Sequence, residues 1–159
     1  MQTLNVGAGQ TDEEYKHAEE ERRAGLRDDA RTDANFFFGA AILAALGTGL
    51  LPIRLNIFVS IGAIDLLAYY GRPLGALFLD AVQFVVAAWV AILVGLGFAA
   101  RKGHRWAFLV GIGLYGADMI ALLVTFSFWS FAVHGIFLFK WFQGQNALKE
   151  LNQAPIQAT

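Results

Sequence analysis

The chain has no cysteine and only three prolines among its 159 residues. Without cysteine there is no disulfide, no thiolate nucleophile and no Cys-ligated metal. Charge is scarce where a soluble fold would need it. Between positions 35 and 100 the only Lys, Arg, Asp or Glu residues are Arg54, Asp65, Arg72 and Asp80. A helix on the surface of a soluble domain needs a polar face, and stretches this poor in charge cannot supply one. The first 34 residues hold no apolar core, so no cleavable signal peptide is expected and the first apolar segment would direct insertion. No dense Lys/Arg block points to nucleic acid. The apolar part offers one histidine, His134, whereas a metal site needs three or four ligands. No metal or other cofactor is expected.

Hydrophobic residues make up 57% of the chain and charged residues 16%, against roughly 45–50% and 25% in soluble domains. The net charge of −1 hides two unlike parts. Residues 1–34 carry five basic and nine acidic groups, and residues 35–159 carry seven and four. The organisation expected is a polar, partly helical N-terminal tail over 1–34, a transmembrane helical domain over 35–143 and a polar C-terminal tail over 144–159. The fold class is all-α: a helical integral membrane protein with five membrane-embedded helices. The alternative is four full spans plus one re-entrant or interfacial helix.

In the tail, Thr11-Asp12-Glu13-Glu14 matches a capping box. Glu19 with Arg23 and Asp28 with Arg31 have helical pair spacing. This stretch reads as a solvated, partly frayed helix, or as one that docks on a partner. Segment 1 (35–51) has small residues every fourth position, Ala40, Ala44 and Thr48 beside Ala41, Ala45 and Gly49, which lets helices approach closely in lipid. Segment 2 (57–71) is about 22 Å long, short for a perpendicular span. Segment 3 (77–100) carries Asp80, Gln83, Ala87, Ala91 and Gly95 on one stripe, read as the face turned to other helices, with Trp89 among the residues left to lipid. Segment 4 (105–126) sets Gly111, Tyr115, Asp118 and Thr125 on one face. Segment 5 (129–142) carries His134. Trp106, Trp129 and Trp141 at segment ends suggest an aromatic belt, and Lys140 can snorkel.

Asp118 is the least expected residue. A central Asp costs about 2.5–3.5 kcal/mol on insertion scales, so an intramembrane carboxylate is a site hypothesis by default. Tyr115 lies one turn before it. His134 could approach from segment 5, across an offset of about 6 Å in depth. The candidate intramembrane polar site is therefore Asp118, Tyr115 and His134, with Asp65 and Asp80 as outlying members nearer segment ends. The structural reading of Asp118 is a carboxyl that fixes helix packing. The functional reading is a proton or ligand site.

Two enzyme-like patterns fail on context. Gly111, Gly113 and Gly116 match G-x-G-x-x-G, but inside an apolar helix rather than after a strand, where glycines serve close packing. Ser130 and His134 are four apart, yet no third group orients the histidine and no oxyanion donor is evident. No catalytic residue is assigned.

The run Arg101-Lys102-Gly103, Trp106-Ala107-Phe108 and Leu114-Tyr115-Gly116-Ala117-Asp118, followed by Phe131-Ala132-Val133-His134 and Gly144, resembles a pattern in small uncharacterised bacterial multi-pass membrane proteins. The resemblance covers the last third of the chain and, loosely, 35–39. It implies a membrane protein of bacterial origin and groups Tyr115, Asp118 and His134 in one constellation, with no activity attached.

The expected function is a non-catalytic accessory or scaffold subunit, or an oligomerising membrane module, in a bacterial inner membrane. Its partners would be the lipid bilayer and either itself or another membrane protein through small-residue helix faces. The alternative is a small transporter or proton-linked binding protein using Asp118, Tyr115 and His134. Positive-inside reasoning puts Arg101, Lys102 and Arg105 in the cytoplasm. It leaves the side of the N-terminal tail open, because five spans would place its arginines outside.

Overall fold

The computed structural model describes residues 12–49, 76–124 and 128–153. Among them every element is helical: α1 (Asp12–Gly49), α2 (Ala76–Arg101), α3 (Arg105–Val124) and α4 (Phe128–Gln153). The all-α class holds. Among the described residues one helix, not five, is long and apolar enough to cross a membrane, over Ala81–Arg101 with a mean hydropathy of 2.3. Segment 2 and Asp65 lie outside the described residues, and so does the side chain of Asp80.

The largest departure from expectation is α1. It crosses the expected boundary at 34/35 as one helix of 38 residues. The cause is a buried stripe that ignores the change in composition. Leu26, Ala30, Ala34, Phe37, Ala41 and Ala44 recur at spacings of four and three, and from Ala30 onward all are buried. A stripe with that spacing keeps one face against neighbouring helices. The polar half of α1 therefore docks within the chain, on the far half of α4. That half runs unbroken to Gln153, past the expected end at 143. Arg22 pairs with Glu150 across this seam, and Lys140 reaches Asp33 at 3.5 Å. Lys140 thus packs inward, over the Phe36 ring, as well as reaching Gln143.

Neighbouring helices in this bundle run antiparallel. Ala44 meets Val82 and Val86, Phe38 meets Phe98, and Arg31 shares a cavity with Arg101, so α1 and α2 run in opposite directions. A tight turn at Lys102 and Gly103 reverses the chain into α3. Gly103 adopts φ 86°, a left-handed conformation that favours glycine. The two polar extensions and the basic turn share one end of the bundle. The rest of the bundle is sheathed in exposed apolar side chains from every helix, among them Ile42, Phe84, Ile92, Ile120 and Phe139.

On α2 the packed face is not the small-residue stripe. Val82, Val86, Leu93, Leu96 and Ala100 are buried, while Gln83, Ala87, Ala91 and Gly95 are exposed. Both sets have helical spacing. The larger residues remove more apolar area and face the core. Trp89 is half-buried and stacks on Tyr115, with centroids 6.4 Å apart. Trp141 is fully buried, because α4 extends well beyond it and it is no longer near a helix end. Trp106 is exposed. The side chain of Trp129 lies outside the described residues.

The polar end has its own titration. Glu19 accepts hydrogen bonds from Arg22 and, at 2.9 Å, from Arg23. These bonds hold its carboxyl at about 2, below the ordinary 4.5. A carboxylate whose folded pKa is depressed stabilises fully above its unfolded value. That contribution is expected to fall away as pH drops from 4.5 towards 2. Glu19→Gln should flatten this part of the curve, read as the unfolding midpoint against pH. An unchanged curve would show that the pair adds nothing.

Candidate functional site

The site is built where α3 and α4 face one another as antiparallel partners. On α3 the facing positions are Phe108, Gly111, Tyr115, Asp118 and Leu122. On α4 they are Ser130, His134, Phe137, Trp141 and Gly144. All ten are buried. Each set repeats at threes and fours, so each makes one continuous stripe.

Asp118 lies six positions before Val124, and His134 six after Phe128. The two are level, and the expected depth offset does not exist. Asp118 Oδ2 and His134 Nε2 are 2.9 Å apart, with side chains 1% and 3% exposed. The other ring nitrogen, Nδ1, lies 2.8 Å from the backbone oxygen of Ser130.

This geometry fixes a proton count. A carbonyl oxygen only accepts, so Nδ1 carries hydrogen and donates to Ser130. The contact between Nε2 and Oδ2 then holds one further proton. Placed on oxygen it gives a neutral acid donating to a neutral imidazole. Placed on nitrogen it gives imidazolium against carboxylate. With no proton there, a nitrogen lone pair would face a carboxylate in a dry interior. The two side chains form a single one-proton unit. Both ring nitrogens are engaged, Nδ1 by the Ser130 backbone and Nε2 by Asp118.

Aromatic rings seal the unit. Tyr115 stacks on the imidazole at 4.5 Å. Trp141 meets Tyr115 edge-on at 4.7 Å and stacks on Phe37 of α1 at 4.1 Å. The expected constellation of Tyr115, Asp118 and His134 is thus brought together, with Thr125 outside the described residues. Phe37, Trp89 and Trp141 belong to it and were missed. The stripe His134, Phe137, Trp141, which continues the histidine's own face by one and two turns, carried the signal. The indole nitrogens of Trp89 and Trp141 are buried with no hydrogen-bond partner.

The three glycines of the G-x-G-x-x-G match do different things. A Cβ at Gly111 would overlap the Phe37 ring and lie 3.3 Å from Trp141, whereas Gly113 and Gly116 have nothing within 4 Å. Close packing accounts for Gly111 alone. Gly144 is a second point of close approach, with Phe108 at 2.7 Å from a would-be Cβ and Asp33 at 3.0 Å.

Among the described residues no group of three or more His, Asp or Glu side chains could hold a metal ion. The chain matches no protein-family model, no curated protein and no solved structure.

Proposed function

We propose that the protein is a small multi-pass integral membrane protein of a bacterial inner membrane, without catalytic activity. It would serve as an accessory or scaffold subunit or as a self-associating membrane module. The observation that carries this reading is the closure of the Asp118–His134 unit. Each partner satisfies the other, Ser130 takes the remaining donor, and rings cover the pair. Such a unit joins α3 to α4 and specifies their register, which is the structural use of buried polar groups in a lipid environment.

The apolar sheath supports the bilayer. Large hydrophobic side chains on all four helices face outward along their apolar stretches, up to Trp106 beside the basic turn. An exposed apolar surface of this extent is not tolerated in water. The polar half of α1 lies at the same end of the bundle as Arg101 and Lys102, so in the alternative of four full spans the N-terminal arginines would share the cytoplasmic side that positive-inside reasoning gives the turn. The exposed stripe of Gln83, Ala87, Ala91 and Gly95 offers a face for a second copy or another membrane protein, because small residues permit close approach.

A second reading is a small transporter or proton-linked binding protein using Asp118, Tyr115 and His134. The one-proton unit is what favours it, since proton relays in membranes use such pairs.

The chain contains no cysteine, so single cysteines report their surroundings cleanly. With a small membrane-impermeant thiol reagent, Gly103→Cys should label in opened membranes. Ile120→Cys and Phe139→Cys, though exposed on the isolated bundle, should not. Labelling of both would sink the membrane reading. Asp118→Cys should also stay unlabelled, and labelling there would favour the proton-linked reading.

A further inference from the structure

The charges of α1 are sorted across the seam it makes with α4. Asp29 and Asp33 line one side of the seam, with Glu150 and Lys140. Arg27 and Arg31 line the other. There they meet Arg101 and Lys102 of the turn around a cavity of about 360 Å³. The remaining wall is Ala30, Ala100, Gly103, Leu148, Leu151 and Asn152, with no carboxylate. None of the four cations makes an ion pair with a described acid. Arg101 is held over the Phe38 ring at 5.9 Å instead.

Four like charges gathered from two parts of the chain repel one another. Opposing acids would relieve that repulsion, but Asp29, Asp33 and Glu150 lie across the seam, and Asp28, at the expected pair spacing from Arg31, makes no ion pair with it. An anion would relieve it as well. Arginine presents paired donors that match the oxygens of a phosphate. The cavity lies one turn beyond the apolar surface of Phe98, the level at which headgroups meet a bilayer, and Leu148 and Leu151 give its wall an apolar part.

We propose that this cavity binds a phosphate group, that of an anionic phospholipid such as phosphatidylglycerol. Phosphate recognition follows from the cavity alone, while its source in a lipid rests on the membrane reading given above. Basic pockets between helices at a membrane surface take up headgroups in this way.

The test uses the full chain purified in a neutral detergent, with thermal unfolding followed as ligand is added. Phosphatidylglycerol in mixed micelles should raise the midpoint saturably, by roughly 2–4 °C, and phosphatidylcholine should not. Arg101→Gln with Lys102→Gln changes two exposed side chains of the turn and should weaken the effect roughly tenfold in apparent affinity. Lys16→Gln with Lys149→Gln, which removes two cations away from the cavity, should leave it intact. Equal loss in both pairs would mean attraction to net charge only and would overturn the proposal, as would no response to any phosphate.

Inorganic phosphate or glycerol phosphate is the second arm. A saturable response to either, with none specific to phosphatidylglycerol, would keep the phosphate site and overturn its lipid source. The membrane reading fails separately, if the chain stays soluble and monodisperse without detergent.

Discussion

Replacing Asp118 by alanine is expected to destabilise the protein by about 3–5 kcal/mol, the usual cost of breaking a buried pair by removing one partner. Asparagine should cost about 1 kcal/mol or less. Its amide N–H can donate to Nε2 while Nδ1 still donates to Ser130, which reproduces the neutral form of the pair. If the pair is instead imidazolium and carboxylate, asparagine will cost more than this, because the charge attraction is lost while a neutral hydrogen bond remains. Asp118→Leu combined with His134→Phe should return stability to within about 2 kcal/mol of the parent, since a well-packed apolar pair often replaces a buried polar one without loss. Denaturant midpoints in one micelle system would measure the whole series. A double variant as unstable as the sum of its parts would show that the two side chains are not coupled.

Gly111→Ala should cost roughly 1–3 kcal/mol, because the added methyl overlaps the Phe37 ring and presses on Trp141, both fully buried. Gly113→Ala should do the opposite. Nothing lies within 4 Å of its Cβ position, and alanine in a helix interior is favoured over glycine by about 0.5–1 kcal/mol. The contrast separates packing from nucleotide binding, since a phosphate-cradling loop would be damaged at both positions. Equal, small effects at the two sites would mean that α1 and α3 do not approach as closely as Phe37 and Gly111 do here.

The polar site was legible because a carboxylate inside an apolar helix has few uses, and helical spacing put Tyr115 and Gly111 on its face. His134 followed as the one imidazole in the apolar part. The extent of α1 was not legible from composition. Asp33 and Asn35 mark an abrupt change from charged to apolar residues, and that change hides a buried stripe running straight through it. Trp141 was misread for a related reason. Its place near the end of an apolar segment says nothing about the end of a helix that continues in polar residues. On α2 two stripes had equal claims by spacing. Small residues argue for close approach, and Val82, Val86 and Leu93 argue for buried area. Inside this bundle area decided, which left the small residues outward for a neighbour.

The seam between the polar halves of α1 and α4 also sets an order in time. Arg22 and Glu150 are 128 positions apart, and Asp33 meets Lys140 and Gly144. At synthesis rates of roughly 5–20 residues per second, the first half of α1 waits about 6–25 s for its partner to be made. Through that interval its arginines and acids stand in water unpaired across the seam, and the buried stripe from Leu26 to Ala34 is bare. The helix must hold its shape by local pairs such as Glu19 with Arg22 and Arg23 until α4 arrives. The seam that joins the two ends of the chain is therefore the last part of the bundle to close.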